Sequence, residues 1–99
     1  MKIRALIVDD ELMARKRVRR FLSPQANVEI AGECADGRGA VAAIQQLEPE
    51  LVFLDIQMPE MDGFQVLQAI GAERMPVVIF VTAYDEFALE AFQAQALDY

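Results

Sequence analysis

Apolar and polar positions follow two rhythms along this chain. Short apolar runs are separated by segments whose apolar residues recur every three or four positions. Ile3 to Val8 is the first run, interrupted at Arg4, and it stops at Asp9 and Asp10. Glu11 to Leu22 has helical spacing, with Ala14, Val18, Phe21 and Leu22 on one stripe. Arg15, Lys16, Arg17, Arg19 and Arg20 occupy the rest of that helix. Ser23 to Asn27 reads as a turn. Val28 to Cys34 alternates like a strand and breaks at Ala35-Asp36-Gly37. Residues 38–47 predict a second helix, with Val41, Ile44 and Leu47 on one side. Leu51 to Leu54 is continuously apolar, as a strand covered on both faces should be. A third helix follows Gly63, carrying Phe64, Val66, Leu67 and Ile70. Residues 76–81, PVVIFV, form the clearest strand. Asp85 caps a fourth helix reaching about Gln95, and Ala96 to Tyr99 begins a fifth strand.

Strands and helices therefore alternate from start to finish. This order predicts an α/β fold: a doubly wound, five-stranded parallel sheet with helices on both faces. The strand order expected for it is 2-1-3-4-5, as in flavodoxin-like folds, without a last helix. With 99 residues the chain is one domain, 1–99, with no linker or internal repeat.

All strands of such a sheet point the same way, so their C-terminal ends share one edge, where ligands bind. Asp9 and Asp10 end the first strand, Asp55 ends the third, and Thr82 ends the fourth. With the first and third strands adjacent, the three carboxylates converge. Two carboxylates ~5 Å apart repel by about 3 kcal/mol at an effective dielectric of ~20. Three together call for a cation or raised pKa values. The chain has no histidine and one cysteine, Cys34. Oxygen-only ligands favour a hard ion such as Mg²⁺, which keeps water positions that phosphate oxygens can take. A carboxylate beside such an ion can attack phosphorus. Taken singly, each acid has a simpler reading. Asp10 could cap the first helix, Asp62-Gly63 is a turn, and Gly37-Arg38-Gly39 weakly resembles a phosphate loop but reads better as a turn into the second helix.

Composition removes other classes. The net charge of −7 argues against direct nucleic-acid contact and gives no support for binding an anionic membrane surface. The N-terminal apolar run is too short for a signal peptide or membrane span. A lone cysteine excludes an internal disulfide and suits a reducing cytoplasm, with Cys34 a small buried residue.

At these residues the sequence resembles the receiver domain of two-component response regulators. The resemblance is carried by LIVDDE (6–11), LVFLDIQMPEMDG (51–63), VVIFVTAYDEFALEAF (77–92) and ALDY (96–99). The wording from Thr82 to Tyr99 is most similar to receivers of the LytTR (LytR/AlgR) class. In that class a DNA-binding domain follows the receiver. The resemblance implies that Asp55 is the phosphoacceptor, taking phosphate from a sensor histidine kinase. It implies Mg²⁺ bound by the side chains of Asp10 and Asp55 and the backbone carbonyl of Gln57, with Asp9 acting mainly through metal-bound water. Thr82 would be the switch hydroxyl and Tyr99 the aromatic switch. Ala83 is small, as the family has it where the phosphoryl group needs access. The implied partners are the kinase and the protein's own C-terminal DNA-binding domain, whose transcriptional output the receiver would switch. The receiver would not be an enzyme, since it promotes only its own phosphorylation and dephosphorylation.

The family's lysine-proline pair at the end of the fifth strand would fall just past Tyr99, so the chain reads as a truncated receiver. An uncovered sheet beside the missing helix predicts a homodimer or element-swapped oligomer for this fragment. The basic residues of the first helix read as a solvated face, or as a docking face for an acidic kinase that charge reversal at Arg15 and Arg19 would disturb. The two stripes of the fourth helix read as core and as a signalling face. An Mg²⁺-dependent aspartyl-phosphate phosphohydrolase fits less well. Its acids would be expected as Asp-x-Asp after the first strand, whereas Asp9 and Asp10 are adjacent. An unphosphorylated receiver-like interaction module would not need the complete set of Asp9, Asp10, Asp55 and Thr82. A flavin module would want a neutral phosphate loop where the chain has DDE.

Overall fold

The computed structural model describes residues 2–81. Seven elements alternate: β1 (Ile3–Val8), α1 (Leu12–Leu22), β2 (Val28–Cys34), α2 (Gly37–Leu47), β3 (Leu51–Asp55), α3 (Gly63–Ile70) and β4 (Val77–Val81). The strands form one sheet in the order β2-β1-β3-β4, and every pairing is parallel. This is the doubly wound, flavodoxin-like arrangement. The expected fourth helix and fifth strand lie outside the described residues.

Strand periodicity sorts the side chains onto two faces. Leu6, Val8, Val52, Leu54, Val78 and Phe80 point to one face, where they pack with Ala40 and Ile44 of α2 and Val66 and Ile70 of α3. Ala5, Ile7 and Phe53 point to the other, against Leu22 and Val18 of α1. The central strands β1 and β3 are apolar on both faces because helices cover both. Cys34 is half-buried beside the larger cluster, and burial pushes its thiol pKa up, which suits packing rather than reactivity.

Several boundaries differ slightly from the sequence expectation. α1 starts at Leu12, α2 at Gly37, α3 at Gly63 itself and β4 at Val77, and β3 carries one residue further, to Asp55. One core assignment is wrong. Phe21 is 69% exposed, while Leu22 is buried. The cause is the roll of α1. It packs against β1 and β2, and Arg15 and Arg19 both reach Glu33 on β2. That link centres the buried stripe on Val18 and Leu22 and turns Phe21 out.

The α2 C-terminus is closed by a device with no sequence periodicity behind it. Glu48 adopts φ 47°, ψ 57°, and its N–H donates to the carbonyl of Ile44. The Arg4 guanidinium donates to the carbonyls of Leu47 at 2.5 Å and Glu48 at 3.3 Å. These satisfy helix-end acceptors that would otherwise lack partners.

Candidate functional site

β1 and β3 are neighbours with Val8 opposite Leu54. The residues that follow, Asp9 and Asp55, therefore leave adjacent strands at the same edge. Asp9 also continues the ladder toward β2, its N–H donating to the Cys34 carbonyl at 3.1 Å. Asp9 is only 7% exposed, and Asp10 beyond it is exposed. Asp9, Asp10 and Asp55 each offer a carboxylate oxygen, all within 4.8 Å of one another. The three acids predicted to converge do so.

Each acid is held by the backbone next to it. Asp9 Oδ1 accepts the Glu11 N–H at 2.9 Å. Asp55 Oδ1 accepts the Gln57 N–H at 3.3 Å. The capping role considered for Asp10 is not what the structure shows: the N-cap of α1 is Glu11, with no side-chain cap bond. Asp9 holds the Glu11 N–H instead, so Asp10 has no part in capping.

Burial and mutual repulsion raise the cluster's proton affinity. Asp55 is pushed up to about 7, first by burial, then by the charge of Asp9, with a smaller push from Asp10 and partial relief from the Gln57 N–H. Asp9 is also raised, chiefly by burial, with the Glu11 N–H opposing. Among the described residues, no basic side chain forms an ion pair with any of the three. The donor set fits a hard divalent cation. Two oxygens on opposite sides of an Mg²⁺ ion lie about 4.2 Å apart, since each sits about 2.1 Å from the metal. Carboxylate oxygens within 4.8 Å need only small movements to reach that spacing.

The loop after β3 is fastened into the core. Ile56 and Met58 are buried, while Gln57 between them is exposed. The Gly63 N–H donates to the Ile56 carbonyl at 2.9 Å. A Cβ at Gly63 would sit 2.6 Å from the Asp55 carbonyl oxygen and 3.1 Å from the Ile56 Cα, so only glycine allows this approach. Asp62 then caps α3 in a reciprocal box. Its Oδ1 accepts the Gln65 N–H at 2.9 Å, and its own N–H donates to Gln65 Oε1 at 2.8 Å. Sequence reasoning took Asp62-Gly63 as a turn alone, although the Asp-x-x-Gln spacing was the available signal. Likewise Gly37-Arg38-Gly39 is the first turn of α2, not a loop before it, and Asp36 caps it by accepting the Gly39 N–H at 2.6 Å.

The basic helix face is solvated at Lys16, Arg17, Arg19 and Arg20, as one reading of the sequence had it, but Arg15 is half-buried, and both Arg15 and Arg19 are tied to Glu33. Arg15 Nε lies 3.3 Å from Glu33 Oε1, and Arg19 Nε donates to Glu33 Oε2 at 2.7 Å. Arg15 Nη1 also donates to the backbone carbonyl of Asp9 at 2.8 Å. Lys16, Arg17 and Arg20 remain exposed. Val81 is the register partner of Asp55. Thr82, Ala83 and Tyr99, and the two stripes expected on the fourth helix, lie outside the described residues.

Comparison with known proteins gives the site a context. The response regulator receiver domain family model matches residues 5–99. The transcriptional regulatory protein BtsR of Escherichia coli K12 is 43% identical over 97 residues, covering 98% of this chain and 41% of BtsR. The chain thus spans about two fifths of the length of the curated relatives it matches. The signal receiver domain of NarL from Mycobacterium tuberculosis superimposes with a TM-score of 0.86 at 36% identity, covering 98% of this chain and 81% of that one. The CheX–CheY–BeF3–Mg²⁺ complex from Borrelia burgdorferi has a TM-score of 0.84 at 26% identity, covering 96% and 74%.

Proposed function

This chain belongs to the response regulator receiver domain family, and from that premise we propose that Asp55 accepts a phosphoryl group from a sensor histidine kinase. The observation that carries the reading is the half-buried Asp55 carboxylate, set among two more carboxylates at the C-terminal edge of the sheet. An Asp55 oxygen attacks phosphorus as the bond from phosphorus to the donor's imidazole nitrogen breaks, leaving an acyl phosphate on Asp55. The Gln57 N–H holds the other end of the carboxylate's freedom in check, and the buried Ile56 and Met58 fix its backbone.

Asp9, Asp10, Asp55 and the Gln57 backbone carbonyl would hold Mg²⁺. The structurally similar CheX–CheY complex carries Mg²⁺. When bound, the ion offsets the repulsion among the carboxylates and the negative charge of the phosphoryl oxygens. With no cation near, a pKa of about 7 keeps a large share of Asp55 protonated and unreactive at neutral pH. Asp9 has one oxygen committed to the Glu11 N–H, which leaves the other for the site.

Thr82 as the switch hydroxyl and Tyr99 as the aromatic switch follow from the family resemblance. The chain is then the receiver portion, 1–99, of a longer cytoplasmic regulator whose DNA-binding output domain is of the LytTR class. The wording from Thr82 to Tyr99 supports that class, and the 43% identity to a transcriptional regulatory protein supports a transcriptional output. The test is incubation of the full-length regulator with acetyl phosphate and Mg²⁺, beside Asp55→Ala. A base-labile phosphate of one group per chain is expected in the parent and none in the variant. Equal labelling without Asp55 would refute the assignment.

A further inference from the structure

We infer that Arg15 is a positioning residue for the carboxylate cluster: bridging the Asp9 carbonyl and Glu33, it sets where Asp9 and Asp10 stand. The inference rests on reading the cluster as an Mg²⁺ site. Arg15 lies on α1, six residues past Asp9, and its side chain is 16% exposed. One nitrogen, Nη1, donates to the Asp9 carbonyl at 2.8 Å; another, Nε, lies 3.3 Å from Glu33 Oε1 on β2. The other Glu33 oxygen is held by Arg19. Glu33 is thus committed on both sides and gives Arg15 a fixed anchor.

The consequence is geometric. The chain between β1 and α1 is short, and its two acids are adjacent. The Asp9 N–H is tied to β2 through Cys34, and its carbonyl is tied to α1 through Arg15. With both peptide groups of Asp9 fixed, the direction in which the chain presents Asp10 is fixed too. A planar guanidinium suits this task, since it makes two directed bonds at once where an ammonium makes point contacts. Groups that orient a metal's ligands without touching the metal commonly govern its affinity by tenfold or more.

The sign of the effect separates positioning from charge. Arg15 is a cation close to the cluster, so as a charge alone it repels Mg²⁺, and its removal would tighten binding. As a positioning residue, its removal weakens binding. Mg²⁺ affinity is to be measured by isothermal titration calorimetry at pH 7.5 on the parent chain, Arg15→Met and Arg19→Met, well below their melting temperatures. Arg15→Met is expected to weaken Mg²⁺ about tenfold. Arg19→Met loses the same Glu33 partner but not the Asp9 contact, and its affinity is expected to stay within about twofold of the parent. Unchanged or tighter binding in Arg15→Met, or equal weakening in both variants, would overturn the inference. If Arg15→Met does not fold, Arg15→Lys, which keeps the charge but not the two directed bonds, is expected to weaken Mg²⁺ about threefold, and no change there would overturn it. A parent chain that binds no Mg²⁺ would instead overturn the metal-site reading.

Discussion

Replacing Asp55 with asparagine should make the cation-free protein more stable, and only above acidic pH. The perturbation keeps the shape of the side chain and removes its charge. Asp55 is raised from an ordinary 3.8 to about 7 in the fold, by burial first and then by Asp9 and Asp10. The native state therefore binds its proton more tightly than the unfolded chain does. The stabilisation this gives is fully present below about pH 4 and drains away as pH rises through 7. Three units correspond to about 4 kcal/mol at most. Asp55 is only half-buried, and solvent screening cuts this to about 2 kcal/mol. That agrees in scale with repulsion between neighbouring carboxylates at ~5 Å. Urea unfolding in EDTA at pH 4, 5, 6, 7 and 8 measures it directly. The asparagine variant should match the parent near pH 4, pull ahead progressively as pH rises, and exceed it by about 2 kcal/mol at pH 8, a midpoint shift of roughly 1–2 M urea. Saturating Mg²⁺ should close most of that gap by stabilising the parent preferentially. A difference that is the same at pH 4 and pH 8, or a destabilised variant at pH 8, would refute the electrostatic reasoning.

Gly63→Ala should cost about 2–3 kcal/mol in urea unfolding, because its methyl group meets the Asp55 carbonyl and the Ile56 backbone, neither of which can yield cheaply. Mg²⁺ affinity should fall in the same variant, since the displaced backbone belongs to Asp55; a neutral effect on both would show that the loop gives way. Glu48→Gly should stabilise the protein by about 0.5–1 kcal/mol, read as a rise in melting temperature of a few degrees, because glycine takes φ 47° without the Cβ penalty. A lowered melting temperature would show that the Glu48 side chain does more than occupy the C-cap.

What the sequence revealed was governed by range. The acids at the ends of the first and third strands were legible because strand direction follows from the alternation of elements, and the adjacency of those strands from the order of flavodoxin-like folds. The apolar character of Leu51 to Leu54 on both faces was legible for the same reason. The roll of α1 was not. It depends on Arg15 and Arg19 meeting Glu33 on another element, and helical periodicity alone placed Phe21 with Leu22 in the core. The Asp9–Glu11 bond was a similar case. The sequence pointed to Asp10 as the residue serving α1, and only the backbone path out of β1 gives that bond to Asp9. The capping box of Asp62 and Gln65 was present in the spacing but hidden by the stronger turn signal of Asp-Gly. The elements expected from Thr82 to Tyr99 fall outside the described residues.

Asp55 sits on a stretch of chain pinned from both directions. Behind it β3 runs through the middle of the sheet; ahead of it Ile56 and Met58 are sunk in the core, and Gly63 presses on its backbone. A phosphoryl group added here brings bulk and charge to a mounting that cannot recoil. Such a mounting behaves as an anvil rather than a spring. Displacement must pass to the chain on either side, and away from β1 that position is Val81, at the end of β4, an outer strand of the described sheet. The rigidity of the acidic edge would thus give a chemical mark its direction, sending it sideways across the sheet instead of back down the strand that received it.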